Sequence, residues 1–268
     1  MNYQFATFRK GVSPVIAVAL HSGHYVRPEV RPYLQLSDEL RLREEDPFTG
    51  RWCVISDNRA IAHHSRFECD LNRPRHKAVY RTPEDAWGLD VWRHPVPEPI
   101  FEHSLARYER FYQRLFGLIE SLLKRHRRVV VLELHTYNHR RSGPESQPQD
   151  PHQNPEVNLG TGSLDRQRWA AVIERFMTDL SSFDFLGRQL DVRENVRFFG
   201  GEMAKTLPAR FPASVCVLAV EVKKFFMNEW TGEVDAASYN AVLRALWSTV
   251  PGLLHVLGTK RHGAYQAA

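Results

Sequence analysis

Nearly continuous apolar runs recur along the chain. Residues 15–20 (VIAVAL), 129–134 (VVVLEL) and 215–222 (VCVLAVEV) are rich in β-branched side chains, which predicts strands buried on both faces. Residues 52–56 (WCVIS) and 65–71 are expected to add two further strands. Elsewhere the apolar positions fall at helical spacing. Leu105, Tyr108, Phe111, Tyr112, Leu115, Leu118, Ile119 and Leu122 predict a long amphipathic helix over residues 104–125. Other helices are expected over 37–45, over 164–176 with Ser163 as N-cap, and over 234–250. Residues 142–157 turn to Pro, Gln, Asn and Ser, which predicts a long loop. Strands alternate with helices throughout, with no repeat and no separating linker. The expected fold is therefore α/β, one domain over 1–268 with a mixed, mostly parallel sheet flanked by helices.

Polar residues at the ends of the apolar runs bring in the chemistry. The runs at 15–20 and 129–134 lead into His21 and His135, and the run from Val215 carries Glu221. In open α/β sheets, ligands bind beyond the carboxyl ends of the strands, so these three side chains are expected at one crevice. Two histidines and a glutamate there have the makings of a mononuclear metal site with a general base. A third protein ligand is expected within the acidic cluster Glu44, Glu45 and Asp46. In the predicted strand 65–71 and just beyond it, alternation puts Arg66, Glu68, Asp70 and Asn72 on one face, with Arg73 following. An Asn-Arg pair suits a carboxylate, because a guanidinium offers a planar two-pronged fork.

Composition narrows the choice of class. The 268 residues include 36 Lys and Arg against 31 Asp and Glu, a net charge of +5. The basic runs 124–128 (KRHRR) and Arg140-Arg141 are not interleaved with stacking aromatics, and no nucleic-acid-binding signature is present, so no nucleic-acid partner is expected. The three cysteines, Cys53, Cys69 and Cys216, form no C-x-x-C pair, which excludes a zinc ribbon and a dithiol redox site. The longest apolar runs are strand-sized, so no membrane span is expected, and a reduced, cytoplasmic setting follows. Histidine is abundant, at 13 residues, in keeping with metal or acid–base chemistry.

Several short segments occur together in a specific order: His21-Ser22-Gly23, Ser65-Arg66-Phe67 leading into Asp70-Leu71-Asn72-Arg73, Glu133-Leu134-His135, Asn158-Leu159-Gly160-Thr161, Phe199-Gly200-Gly201, and Glu221-Val222 before Phe226-Met227-Asn228-Glu229. In this order they resemble the N-formylglutamate amidohydrolase family, related to zinc carboxypeptidases and aspartoacylases, over about residues 15–232. The resemblance implies a zinc-carboxypeptidase-like fold and one Zn2+ per chain, held by His21, His135 and Asp46, with Glu45 the alternative to Asp46. It implies Glu221 as general base, Arg66 as the group that polarises the scissile carbonyl, and Asn72 and Arg73 as binders of the substrate carboxylate. The expected reaction is hydrolysis of an N-acyl (N-formyl) amide of an acidic amino acid or related small carboxylate. A carboxypeptidase-like enzyme acting on short peptides, or a non-catalytic basic binding module, are the alternatives. The stretch 202–213 lacks the histidine that commonly follows the family's paired glycines, a departure that bears on substrate recognition.

Overall fold

The computed structural model describes residues 4–259, so both ends of the expected 1–268 unit lie outside the described residues. In chain order the elements are β1 (Ala6–Arg9), β2 (Val15–Ala19), α1 (Asp38–Glu44), α2 (Thr49–Trp52), β3 (Asn58–Ala62), α3 (Glu98–Leu123), β4 (Val129–Tyr137), β5 (Val157–Gly160), α4 (Arg166–Ser181), β6 (Val192–Glu194), α5 (Glu202–Arg210), β7 (Val215–Lys223) and α6 (Ala236–Val256), joined by loops and short 3-10 turns. Seven strands form one sheet in the order β1-β3-β2-β4-β7-β5-β6. The central β3, β2, β4 and β7 are parallel to one another, whereas β1 joins β3 and β5 joins β7 in antiparallel fashion. The fold is thus the expected α/β type with a mostly parallel mixed sheet.

Strand parity divides the core into two layers. Ala17, Leu132 and Leu218 face α4 and α6, packing against Trp169, Phe176 and Leu246. Ile16, Val131 and Val217 face the other way, toward Phe111 and Leu115 of α3 and Leu207 of α5. The second layer decides where the chemistry goes. Residues 129, 131, 133 and 135 of β4 share its face, and so do 215, 217, 219 and 221 of β7. Glu133, His135 and Glu221 therefore emerge at the carboxyl ends of strands whose lower halves are sealed by α3 and α5. Among the described residues no helix is long and apolar enough to cross a membrane.

Three expectations about local structure are corrected. Residues 52–56 are not a strand: Trp52 closes α2 and Cys53–Ile55 make a 3-10 turn, with the Trp52 ring buried against Phe226 and Tyr239 at 5.1 and 5.6 Å. A short apolar run fits a buried helical turn as well as a strand, and the strand comes later, as β3. Residues 65–71 are not a strand either. Ser65 opens a turn, its carbonyl accepting from the Glu68 and Cys69 N–H groups and its hydroxyl from that of Phe67. The N-cap of α4 is Asp165, which accepts from Arg168 N, rather than Ser163, whose hydroxyl donates to Ala204 O. Within 142–157, residues 142–156 carry no helix or strand and β5 starts at Val157.

The turn that replaces the strand at 65–71 is held by a buried ion pair. Glu68 Oε1 accepts from Arg27 Nε at 2.6 Å and from His64 Nδ1 at 3.1 Å, while Oε2 accepts from Arg27 N at 2.9 Å. The same guanidinium donates to Ser104 Oγ at 2.5 Å, tying both loops to α3. Burial opposes ionisation of Glu68, but His64 and Arg27 more than compensate and keep its carboxyl below the usual range. Removing one partner of a buried pair strands the other, at a cost of about 3–5 kcal/mol. Glu68→Gln is accordingly expected to lower the free energy of unfolding by about 3 kcal/mol in urea titrations at pH 7. Because the folded-state value is depressed, this contribution is complete above an unfolded glutamate's pKa of about 4.3 and is lost as the pH falls below it. The difference between wild type and variant should therefore shrink in acid; a gap that is constant from pH 7 to pH 3 would refute the assignment.

Candidate metal centre

Three expected residues meet beyond the carboxyl ends of β2 and β4. His21, Asp46 and His135 each offer a ligand atom within 4.8 Å of the others, and all three are buried. His21 stands two residues after the end of β2, and His135 sits in β4, which runs on to Tyr137. Asp46 comes just after α1. Its backbone N–H donates to His21 O at 2.9 Å, which fixes the loop to the strand end. The loop is also held by Lys224, whose buried ammonium donates to Arg43 O at 2.6 Å and Glu45 O at 2.8 Å, at the carboxyl end of α1. Burial lowers Lys224 to about 8 against the pull of the nearby acids.

The rings share one orientation logic. Nδ1 of both histidines faces Asp46 Oδ2, at 3.3 Å from His21 and 2.8 Å from His135, and the ring centroids lie 5.0 Å apart. Nε2 of each meets a second carboxylate: Asp70 Oδ1 at 2.8 Å for His21, and Glu133 Oε1 at 2.9 Å for His135. A carboxylate behind each imidazole holds the ring in orientation, as is usual for metal-ligating histidines. Thr136 Oγ1 donates to Asp46 Oδ1 at 3.1 Å. Although burial opposes it, the bonds from His135 and His21 hold Asp46 well below the normal carboxylate range. Two imidazoles and one carboxylate, buried and convergent, are a donor set that fits a divalent transition metal with positions left open.

The structure separates the acidic neighbours. Glu45 turns away from this group: Oε2 accepts from His24 Nδ1 at 2.6 Å, and Oε1 from the Ser65 hydroxyl. Glu44 meets Asn138 Nδ2 at 3.2 Å. Glu221 is the Cα neighbour of His135 in the β4–β7 ladder. It stays partly open to solvent, yet the protein packed round its carboxyl raises it to about 7, the charge of His135 opposing and those of Asp46 and Glu133 assisting.

Asp70, to which the sequence reading gave no role, joins most of the remaining residues. Besides His21, Oδ1 accepts from Asn72 N at 2.8 Å, and Oδ2 accepts from Arg66 at 2.8 and 3.3 Å and from the Tyr80 hydroxyl. Arg73 lies 3.9 Å from the same oxygen. Asn72 turns its Oδ1 to Met203 N at 3.1 Å and its Nδ2 toward His135 Nε2 at 3.3 Å. This contact needs glycine at 201, because a Cβ there would lie 2.5 Å from the Asn72 amide, and the preceding Gly200 adopts φ 104°. Asn158 fixes the same loop, Oδ1 accepting from Val196 N at 3.0 Å and Arg197 N at 2.8 Å. Sequence reasoning missed Asp70, Glu133 and Tyr80 as partners. The signal available was E-x-H in β4, since a period of two puts Glu133 and His135 on one face.

Asp70→Asn leaves the half-buried Arg66 and the buried His21 facing a neutral amide. We expect it to cost about 3 kcal/mol of stability in denaturant titrations. Tyr80→Phe, which removes only one neutral donor, should cost about 1 kcal/mol. Equal losses for the two variants would mean that the charge of Asp70 is not what the pocket uses.

Comparison with known proteins bears on the family and the fold. A family model described as N-formylglutamate amidohydrolase matches residues 13–227. No curated protein matches the sequence. Among solved structures, the chain is similar to the N-formylglutamate amidohydrolase from Ralstonia eutropha, with 17% identity, TM-score 0.69, and coverage of 94% of this chain and 97% of that one. It is also similar to a gene product of Agrobacterium tumefaciens, with 15% identity, TM-score 0.61, and coverage of 96% and 97% respectively. At these identities the two structures establish the shared fold.

Proposed function

The chain belongs to the N-formylglutamate amidohydrolase family, and from that membership we propose that it is a zinc-dependent amidohydrolase that removes the acyl group, formyl in the first instance, from an N-acylated acidic amino acid or a related small carboxylate. The observation that carries this reading is the convergence of His21, Asp46 and His135 with Glu221 across the ladder from His135. His21, Asp46 and His135 would hold one ion. Bound there, zinc supplies a Lewis acid that makes water more acidic and polarises a carbonyl.

The chain's own groups supply the rest. Glu221, with a carboxyl raised to about 7, is poised near neutrality both to take a proton and to give it back. It takes the proton of the attacking water as the bond to the acyl carbon forms. The same proton then passes to the amide nitrogen as the carbon–nitrogen bond breaks, leaving a carboxylic acid and an amine. Arg66, held by Asp70, has its charge fixed beside the site and is the group we assign to the developing oxyanion. Arg73, with its side chain one-third exposed, is the fork we assign to the substrate carboxylate, with Asn72 beside it.

Two measurements test the reading. Protein purified without a metal-affinity tag should contain close to one transition-metal ion per chain, and a chelator should abolish formate release from N-formyl-L-glutamate until zinc is restored. Protein without metal that still turns over would sink it. Separately, Glu221→Gln should reduce kcat by about 10²–10⁴-fold with the metal content unchanged. Near-normal turnover in that variant would mean that another residue moves the proton.

A further inference from the structure

Trp87 sits where its backbone favours a different residue. It closes the 3-10 turn Pro83–Ala86 in the left-handed region, at φ 56° and ψ 30°. For a bulky side chain this region is unfavourable, and a glycine or asparagine would occupy it with less strain. Burial does not account for the residue, since Trp87 is 51% exposed. The turn is well anchored on both sides. A capping box joins Thr82 and Asp85, Gly88 N donates to Pro83 O at 2.7 Å, and Trp92 Nε1 donates to Tyr80 O at 2.8 Å. The strain is thus imposed by a firm turn, and strain of this kind concentrates where side-chain placement matters for function.

The indole faces the two arginines next to the candidate metal centre. Arg66 Cζ lies 4.7 Å and Arg73 Cζ 5.4 Å from its ring, and the ring of Tyr80 meets it edge-on at 6.1 Å. Two like charges directed at one spot repel, and the negative face of an aromatic ring offsets that repulsion. The two guanidiniums depend on the ring unequally. Arg66 is already fixed by Asp70 and by Glu44 O at 3.3 Å. Among the described residues the Arg73 side chain has only the 3.9 Å approach to Asp70 and a long bond to Asp85 O at 3.4 Å, so its position rests largely on the indole.

We propose that Trp87 is a positioning residue whose indole holds the guanidinium of Arg73 beside that of Arg66, ready to receive a substrate carboxylate. The proposal rests on the amidohydrolase reading for the identity of the substrate, but the placement of an anion can be tested without turnover. An ordered guanidinium loses less side-chain freedom on binding, so the indole acts on affinity more than on the chemical step.

The test compares Trp87→Leu, Trp87→Phe and Trp87→Gly with wild type, by kinetics on N-formyl-L-glutamate and by calorimetric titration with L-glutamate. Trp87→Leu should raise KM about ten-fold and weaken L-glutamate binding by a similar factor, within the range of a cation–π contact, with kcat changed less than about two-fold. Trp87→Phe, which keeps an aromatic face, should recover most of the affinity. Trp87→Gly should bind as poorly as the leucine variant while its Tm stays level or rises, because glycine accepts the turn's φ. Unchanged affinity in the leucine variant, a phenylalanine variant as weak as leucine, or no L-glutamate binding by wild type would each overturn the proposal. If wild type binds L-glutamate in a Trp87-dependent way but releases no formate, the positioning role stands and the amidohydrolase reading fails.

Discussion

The site depends on keeping the Asp46 carboxylate charged while it is buried. A carboxylate removed from water is costly unless donors surround it, and here they come from three residues: His21 after β2, and Thr136 and His135 in β4. Each histidine then needs a partner for its other nitrogen, which brings in Asp70 and Glu133. Asp70 in turn requires Arg66 and Tyr80. The polar cluster grows outward by one rule, that each buried charge or donor demands the next partner. It ends where Arg66, Arg73 and Trp87 reach solvent.

The sheet makes such a cluster possible by separating its supports. The faces of β4 and β7 that carry Glu133, His135 and Glu221 are apolar lower down, where α3 and α5 seal them. Backbone pairing along nine residues of β4 and β7 continues past the polar positions, so His135 and Glu221 are held in register by main-chain bonds rather than by their own side chains. Polar side chains at the top of such a ladder can meet one another's charges without disturbing the core below. The loop after α1 lacks that support. It is fixed by Lys224 and by the bond from Asp46 N to His21 O.

Much of this was legible in the sequence, for identifiable reasons. The long β-branched runs marked β2, β4 and β7, because a strand buried on both faces must be apolar throughout. Their polar ends marked His21, His135 and Glu221. Asp46 could be placed beside the histidines only through family resemblance, since Glu44, Glu45 and Asp46 are chemically alike and the final turn of α1 decides which one faces inward. Residues 65–71 were misread because alternating polar residues look like a strand. In fact Glu68 and Asp70 are buried and point to separate partners, Arg27 and His21. The short strands β1, β3, β5 and β6 and the helices α2 and α5 are not marked in the sequence. Their local patterns are weak, and pairing with the sheet, or packing on it, defines them. Trp87 carried no sequence signal at all, because its meaning lies in a backbone angle and two distant arginines.

The two histidines are oriented by carboxylates of different origin. Glu133 stands two residues before His135 on the same strand, so the pleat alone puts the pair on one face. It is retained there although its second oxygen is buried without a hydrogen-bonding partner among the described residues, a cost that packing alone gives no reason to keep. Asp70 reaches His21 from a turn that Arg27 ties to α3 through its bonds to Glu68 and Ser104. That same turn carries Arg66 and leads directly into Asn72 and Arg73. One half of the centre is therefore written locally into β4. The other half is a tertiary assembly in which the residue orienting a proposed metal ligand also anchors Arg66, the guanidinium proposed to meet the oxyanion. A shift of the turn would move both together, so on the proposed reading the geometry of the metal ligand and the placement of Arg66 are coupled through Asp70.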